Sequence, residues 1–277
     1  MIPRHSLGAM GVEVSAFGLG GEGILRTHGR HEQASELIRQ ALDLGVTYFE
    51  SARAYSGSEG YLGQSLGADR QRIFLATKSH ERTAAGAQEH LRESLTLLGT
   101  DWIDLWMVHD VRTRDELEQI AGPGGALEVF AKAKQRGAAR FLGVSGHHDP
   151  AILRAALDLF PFDCVLMPVN PAEGALNAFA DEVLPTARAR GMGVIAMKVL
   201  CRGLVAQLPG FMGTAPYLRY ALQTEGVSLV SIGCENTAQI RENLEAVVAV
   251  NQPTEGEREG LERLLSPYAR KLAYYRP

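Results

Sequence analysis

The feature of this chain that most restricts its fold is a repeated alternation of strand-length apolar runs with helical segments. The runs are VSAFGLGG (14–21), TYFES (47–51), IFLATK (73–78), WIDLWMVH (102–109), RFLGVS (140–145), DCVLMPV (163–169), GVIAMKV (193–199) and VSLVSIG (227–233). Their apolar character is continuous rather than alternating, as in strands buried on both faces, and that is the mark of a parallel sheet. Helical segments are predicted at 31–44, 58–68, 84–98, 115–136, 150–159, 177–190, 214–225 and 237–249. In the first of them Ala34, Leu37, Ile38, Ala41 and Leu42 form one apolar stripe. Gly45, Gly99, Gly137, Gly191 and Gly226 stand where left-handed helix ends are expected. Eight strand–helix units is the count of a closed (β/α)8 barrel, also called a TIM barrel. The predicted architecture is therefore α/β, with residues 1–277 forming a single barrel domain. The stretch before residue 14 reads as a β-hairpin that plugs the closed end. The tail from Glu255 to Pro277 reads as an extra helix and a terminal arm. An open doubly wound sheet would carry GxGxxG leading directly into a helix. GLGGEG (18–23) has the glycines, but the next helix begins near His31.

Composition narrows the function. A formal net charge of −4, without long charged blocks, gives no electrostatic case for nucleic acid. No apolar run is long enough to span a membrane. The first twenty residues lack a charged-then-apolar secretory pattern. The three cysteines, Cys164, Cys201 and Cys234, are odd in number and widely spaced, so neither a disulfide framework nor a zinc motif is indicated. The expected setting is the cytoplasm.

The chemistry-bearing residues gather at strand ends. In YFESARAYSGSEGYLG (48–63) a strand runs into a polar turn carrying Glu50, Ser51 and Tyr55. The strand IFLATK stops at Lys78 and WIDLWMVH stops at His109. If these strands are parallel neighbours, a carboxylate, a phenol, an ammonium and an imidazole meet at one mouth. A phenol ordinarily titrates near ~10, and a neighbouring ammonium lowers that value. Glu50 beside Lys78 would hold the ammonium charged. Tyr55 could then give a proton to a developing alkoxide, with His109 orienting the substrate oxygen. The set has no hydride source, so a nicotinamide cofactor would supply one.

These residues resemble those of the aldo-keto reductases, in register over nearly the whole chain. LGAMGVEVSAFGLGG is similar to the family's LGxTGLxVSxLGLGG, and FESARAYSGSEGYLG to FDTAxxYGxSExxLG. IFLATK, DWIDLWMVH, FLGVS, GVIAMKVLCRGL and IGCENTAQIRENL follow in the family's order. The resemblance implies an eight-stranded barrel with NADP or NAD lying across its carboxyl-end mouth. It implies reduction of a small carbonyl compound to an alcohol, or the reverse. Tyr55 would be the acid, Lys78 and Glu50 its supports, and His109 the positioning group. It further implies cofactor contacts at Ser145, Gly146, Met197, Lys198, Leu200, Arg202, Gly203, Gly233, Cys234, Gln239 and Asn243. No resident metal belongs to this scheme.

The chain departs from the family at several of these positions. Glu50 stands where the family has Asp, which moves the carboxylate by roughly one C–C bond, ~1.5 Å. Gly146 replaces Asn, Leu166 replaces Gln, and Met197 stands where an aromatic ring is usual. Lys198 falls beside the expected pyrophosphate. Gln239 occupies the place of the Arg that reads a 2′-phosphate, Glu235 lies nearby, and Arg241 is the loop's cation. The choice between NADP and NAD is therefore open. His147 and His148 follow the fifth strand, where one of them could replace the missing Asn. Trp102 and Trp106 share a strand face and read as packing, with Trp106 a possible pocket edge. Cys201 and Cys234 read as packing within the cofactor loops. Substrate choice would come from residues 110–125, 200–213 and the C-terminal arm, with Phe211, Tyr217, Tyr274 and Tyr275 as candidate lining. Two other functions compete. One is a metal-dependent barrel hydrolase or isomerase using His80, His109, His147, His148 and Asp110. The other is a nucleotide-binding redox sensor with little turnover.

Overall fold

The structure is a computed structural model that describes residues 1–249 and 255–277. Its sheet closes in the order expected of sequential βα units. Strands β3 (Phe17–Gly23), β4 (Tyr48–Glu50), β5 (Phe74–Ser79), β6 (Ile103–Val108), β7 (Ala139–Ser145), β8 (Cys164–Pro168), β9 (Gly193–Met197) and β10 (Leu229–Cys234) each pair with their chain neighbours. The last pairs in parallel with the first, Val230 opposite Phe17. Closure removes both sheet edges.

The two faces of each strand carry different cores. Outward residues such as Leu19, Phe49, Leu75 and Trp106 pack beneath the surrounding helices. Inward residues Tyr48, Phe74, Ala76, Leu105, Met107, Leu166, Ile195 and Leu229 fill the bore. Glycine makes room where two inward rings or chains would collide: a Cβ at Gly18 would lie 2.4 Å from Tyr48 Cδ1. Trp106 therefore does not edge a pocket. It stacks on Phe130 of a covering helix with ring centroids 3.8 Å apart. Trp102 lies outside the strand, under the Arg70 guanidinium.

The amino-terminal residues form the expected plug. Strands β1 (Arg4–Ser6) and β2 (Glu13–Ser15) pair antiparallel. Leu7 and Val14 are fully buried against the lower bore, and Ala9 N–H donates to the Gly191 carbonyl at 2.7 Å. Gly8 makes the contact feasible, with φ of 57° and a Cβ position only 2.3 Å from Gly193 N.

The helices fall as predicted with one difference. α1 (His31–Asp43), α2 (Ser58–Leu66) and α3 (Ala84–Leu98) match, whereas the segment 115–136 is two helices, α4 (Arg114–Ala121) and α5 (Ala126–Gln135). The intervening Gly-Pro-Gly-Gly prevents a continuous helix: Gly124 has φ of 72° and proline lacks an amide proton. α6 (Pro150–Leu159) starts as the Asp-Pro pair demands, with Asp149 accepting from Ala151 N–H. α7 (Phe179–Ala189), α8 (Ala215–Leu222) and α9 (Thr237–Val248) complete the ring, and α10 (Glu255–Leu265) and α11 (Ala269–Leu272) form the tail. Among the described residues, five non-glycine residues have positive φ: Ser56, Asp110, Lys198, Cys201 and Arg202. All lie in loops following β4, β6 or β9, at the carboxyl-end mouth, where backbone strain commonly accompanies function.

Replacing Gly8 with alanine combines a left-handed backbone with a collision against Gly193. We expect Gly8→Ala to lose about 1–3 kcal/mol of stability, read as a lower urea midpoint. An unchanged midpoint would show that the plug is not held at this point.

Candidate active site

The inward parity of three strands delivers three charged or polar groups to one place. β4 runs inward through Tyr48 to Glu50, and β5 through Phe74 and Ala76 to Lys78. β6 runs through Leu105 and Met107 to His109, one residue beyond the strand. Lys78 is 1% exposed, Glu50 4% and Tyr55 9%. The Lys78 ammonium donates to Glu50 Oε1 at 2.7 Å and to the Ser51 carbonyl at 2.8 Å. Tyr48 OH donates to Glu50 Oε2 at 3.2 Å, so the carboxylate is held from both sides. Tyr55, on the loop after β4, covers this pair with its ring centroid 4.8 Å from Lys78 Nζ. The His109 ring meets Tyr55 edge-on at 5.5 Å, and the Arg26 guanidinium lies 5.1 Å from the Tyr55 centroid. The four residues singled out from sequence are thus one cluster.

Its electrostatics differ from the expectation in one respect. The Tyr55 phenol is raised well above its usual value, first by burial and then by Glu50 and Glu22; Arg26 opposes them. The shift runs opposite to the lowering expected from Lys78, because burial dominates and Glu50 and Glu22 act in the same direction. The phenol is consequently protonated at neutral pH, as a proton donor must be. His109 is held well below the ordinary histidine range by burial, with Lys78, His147 and His80 adding to it. It is neutral near pH 7, and its buried Nδ1 has no partner among the described residues.

Beside the cluster lies a cavity of about 410 Å³ that runs from Glu50 and Tyr55 along Met197, Lys198, Arg202 and Gly203 to Gln239 and Asn243 on α9. Its centre is strongly ionic. Glu22 pairs with Arg26 at 3.1 Å, Arg202 at 3.6 Å and Lys198 at 3.7 Å. Burial works to raise the Glu22 carboxyl, but Lys198, Arg202 and Arg26 overcome it and leave it below its ordinary value. At the α9 end the lining includes the carboxylates of Glu235 and Glu242.

A family model described as the Aldo/keto reductase family matches residues 16–211. The chain belongs to the aldo/keto reductase family. It is an NAD(P)-dependent oxidoreductase of small carbonyl compounds and alcohols, and the two competing functions are not favoured. Among curated proteins, L-galactose dehydrogenase of Arabidopsis thaliana is 26% identical, covering 89% of this chain and 88% of that protein. Among solved structures, the holo form of an aldo-keto reductase from Bacillus halodurans superposes with a TM-score of 0.79 at 23% identity, over 95% of this chain and 96% of that one. An aldo-keto reductase from Klebsiella pneumoniae in complex with NADPH gives 0.77 at 21% identity, over 96% of each chain. These two likenesses bear on the fold.

The cavity suits a nicotinamide dinucleotide. Two cations, Lys198 and Arg202, sit on its wall, and Asn243 Oδ1 is buried without a partner among the described residues, an acceptor for an N–H donor. Met197, Lys198, Leu200, Arg202, Gly203, Gly233, Gln239 and Asn243 line it, whereas Ser145, Gly146 and Cys234 do not. Ser145 Oγ accepts from Asp110 N–H at 2.9 Å and is spent in tying β7 to the loop after β6. A Cβ at Gly146 would press on Leu153 and the Val111 carbonyl. Cys234 is fully buried, with its thiol pushed up to about 12 by burial. Arg241 turns away and donates to Gln40 on α1 at 2.5 Å. Gln239 Oε1 is occupied by Glu235 N–H.

The histidines of the metal-hydrolase alternative do not converge. His109 faces Tyr55, His147 lies 3.3 Å from Asp110, and His148 reaches the Tyr275 carbonyl at 3.4 Å. The arm residue Tyr275 is anchored rather than open to the pocket, donating to Glu173 at 2.6 Å and accepting from Asn170 at 3.0 Å. Phe211 lines the cavity and Tyr217 stacks on it. The sequence reading missed Glu22. Gly18 and Gly20 precede it at inward positions of β3, so strand parity alone places its side chain toward the mouth.

The Lys78–Glu50 pair also yields a stability test. Lys78→Met leaves a buried carboxylate unpaired and should cost about 3–5 kcal/mol in urea unfolding, while Lys78→Met/Glu50→Gln should recover most of that loss. Equal losses in both variants would show that the charges are not coupled.

Proposed function

We propose that this enzyme reduces a small aldehyde or ketone to an alcohol, or runs the reverse reaction, with Tyr55 as the proton donor and NADH preferred over NADPH. The observation that carries the reading is the stack of Tyr55 over the Lys78–Glu50 pair with His109 at its edge. A bound nicotinamide supplies the hydride. Neutral His109 donates a hydrogen bond to the carbonyl oxygen and fixes it beside the phenol. Tyr55 delivers its proton as negative charge develops on that oxygen, and the Lys78 ammonium beneath the ring steadies the phenolate left behind. Glu50 orients the ammonium through its 2.7 Å contact.

The preference for NADH is supported by Glu235 and Glu242 on the α9 wall of the cavity. A carboxylate accepts from a ribose 2′-hydroxyl and repels a 2′-phosphate. Lys198 and Arg202 are assigned to the pyrophosphate, for which Glu22 competes. We also assign residues 1–277 to one domain. The assignment to the cytoplasm is supported by three buried, unpaired cysteines. Among the described residues no helix is long and apolar enough to cross a membrane.

Tyr55→Phe should reduce turnover of an aldehyde and ketone panel by about 10²–10⁴-fold while leaving the Kd for NADH within twofold. Equal rates would remove Tyr55 from this role. Fluorescence titration should show NADH binding at least tenfold tighter than NADPH, and the opposite order would refute the assignment of Glu235 and Glu242. Glu22→Gln should tighten both dinucleotides by about tenfold, roughly 1.4 kcal/mol, because it frees the cations without adding a charge.

A further inference from the structure

At the carboxyl end of the barrel, the loop between β5 and α3 and the helix itself bring together three donor groups that the proposed redox chemistry does not use. His80 and Glu81 follow β5, and His90 stands on α3. One ligand atom from each residue lies within 4.8 Å of the others. The two imidazole rings are 4.7 Å apart at 66°, and His90 Nε2 is 3.9 Å from Glu81 Oε1. Among the described residues this is the one group of histidine, cysteine and carboxylate side chains so arranged.

We propose that His80, Glu81 and His90 form a binding site for a divalent first-row metal of borderline softness, with zinc as the best fit. Two imidazoles and a carboxylate are the donors such a cation takes, and water completes four-coordination. Zinc–ligand bonds of about 2.0–2.1 Å give a tetrahedral edge of roughly 3.3 Å, so the His90–Glu81 separation needs to close by about half an ångström.

Two features show that His90 and Glu81 are held. The first is the other nitrogen of His90. Its Nδ1 lies 2.9 Å from Ser79 Oγ, which leaves Nε2, the atom facing Glu81, to offer its lone pair. A hydrogen bond on the second ring nitrogen is what orients a metal-binding imidazole. Glu81 N–H donates to the same Ser79 oxygen at 3.3 Å, so one hydroxyl positions two of the three residues. The second feature is Gly86, the third residue of α3. Glycine inside a helix costs about 1 kcal/mol relative to alanine. Here its bare backbone seats the Glu81 carboxylate: a Cβ at Gly86 would lie 2.1 Å from Glu81 Oε2. His90 is four residues further on, on the same face of the helix. The notch therefore sets the carboxylate beside the imidazole.

The site is independent of the redox assignment, and its test measures metal uptake alone. Tag-free protein at pH 7.5 is titrated with Zn²⁺ by calorimetry and with Co²⁺ by visible absorption. One equivalent should bind, with the intense visible bands of four-coordinate cobalt, and Zn²⁺ should abolish them. His90→Ala should weaken Zn²⁺ binding at least tenfold. Gly86→Ala should do the same while retaining both imidazoles and a helix at least as stable, which separates loss of the site from loss of the fold. Absence of stoichiometric binding by the unaltered protein overturns the proposal. Binding unchanged in both variants overturns it equally, since the metal then sits elsewhere.

Discussion

The arrangement at the mouth depends on one ion pair in the bore of the barrel. Lys78 and Glu50 meet at 2.7 Å on adjacent parallel strands, each as the last inward residue of its run. Neither could be buried alone, because an isolated charge in this setting costs several kcal/mol. Together, with Tyr48 and the Ser51 carbonyl taking up further hydrogen bonds, they form a polar cap on an otherwise apolar bore. That cap is the floor on which Tyr55 rests. The longer glutamate side chain, where the family has aspartate, still reaches the ammonium at full hydrogen-bonding distance.

Burial of Tyr55 over this pair decides the phenol's protonation. An ammonium beneath Tyr55 alone would draw it toward phenolate, but the carboxylates of Glu50 and Glu22 push the other way. Desolvation then dominates and holds the proton on oxygen. The same scarcity of water keeps His109 neutral. The cluster therefore presents a loaded acid and an uncharged donor side by side, the states suited to reducing a carbonyl.

Strands buried on both faces leave apolar runs, and those runs make all eight barrel strands legible in the sequence, with Glu50, Lys78 and His109 marked at the strand ends. What stayed hidden has particular causes. The 115–136 region keeps a helical apolar period across its Gly-Pro-Gly-Gly break, so the pattern alone does not divide it. Ser145 has a polar side chain at a strand end, yet a neighbouring backbone amide consumes it. Arg241 sits in the right loop but its helix turns it toward α1. The shift of Tyr55 depends on its burial and on the carboxylates that face it. Glu22 stands at an inward position of β3, but the glycines of GLGGEG around it make the segment read as a phosphate-binding turn rather than by strand parity.

Glu22 has a consequence for the proposed cycle beyond competition for arriving cofactor. A dinucleotide held by Lys198 and Arg202 has a rival anion tethered within reach of the same cations. As the pyrophosphate begins to loosen, that carboxylate can take its place without diffusing, and rebinding loses its advantage. Where release of a bound product paces turnover, a tethered substitute exchanges grip for speed of renewal.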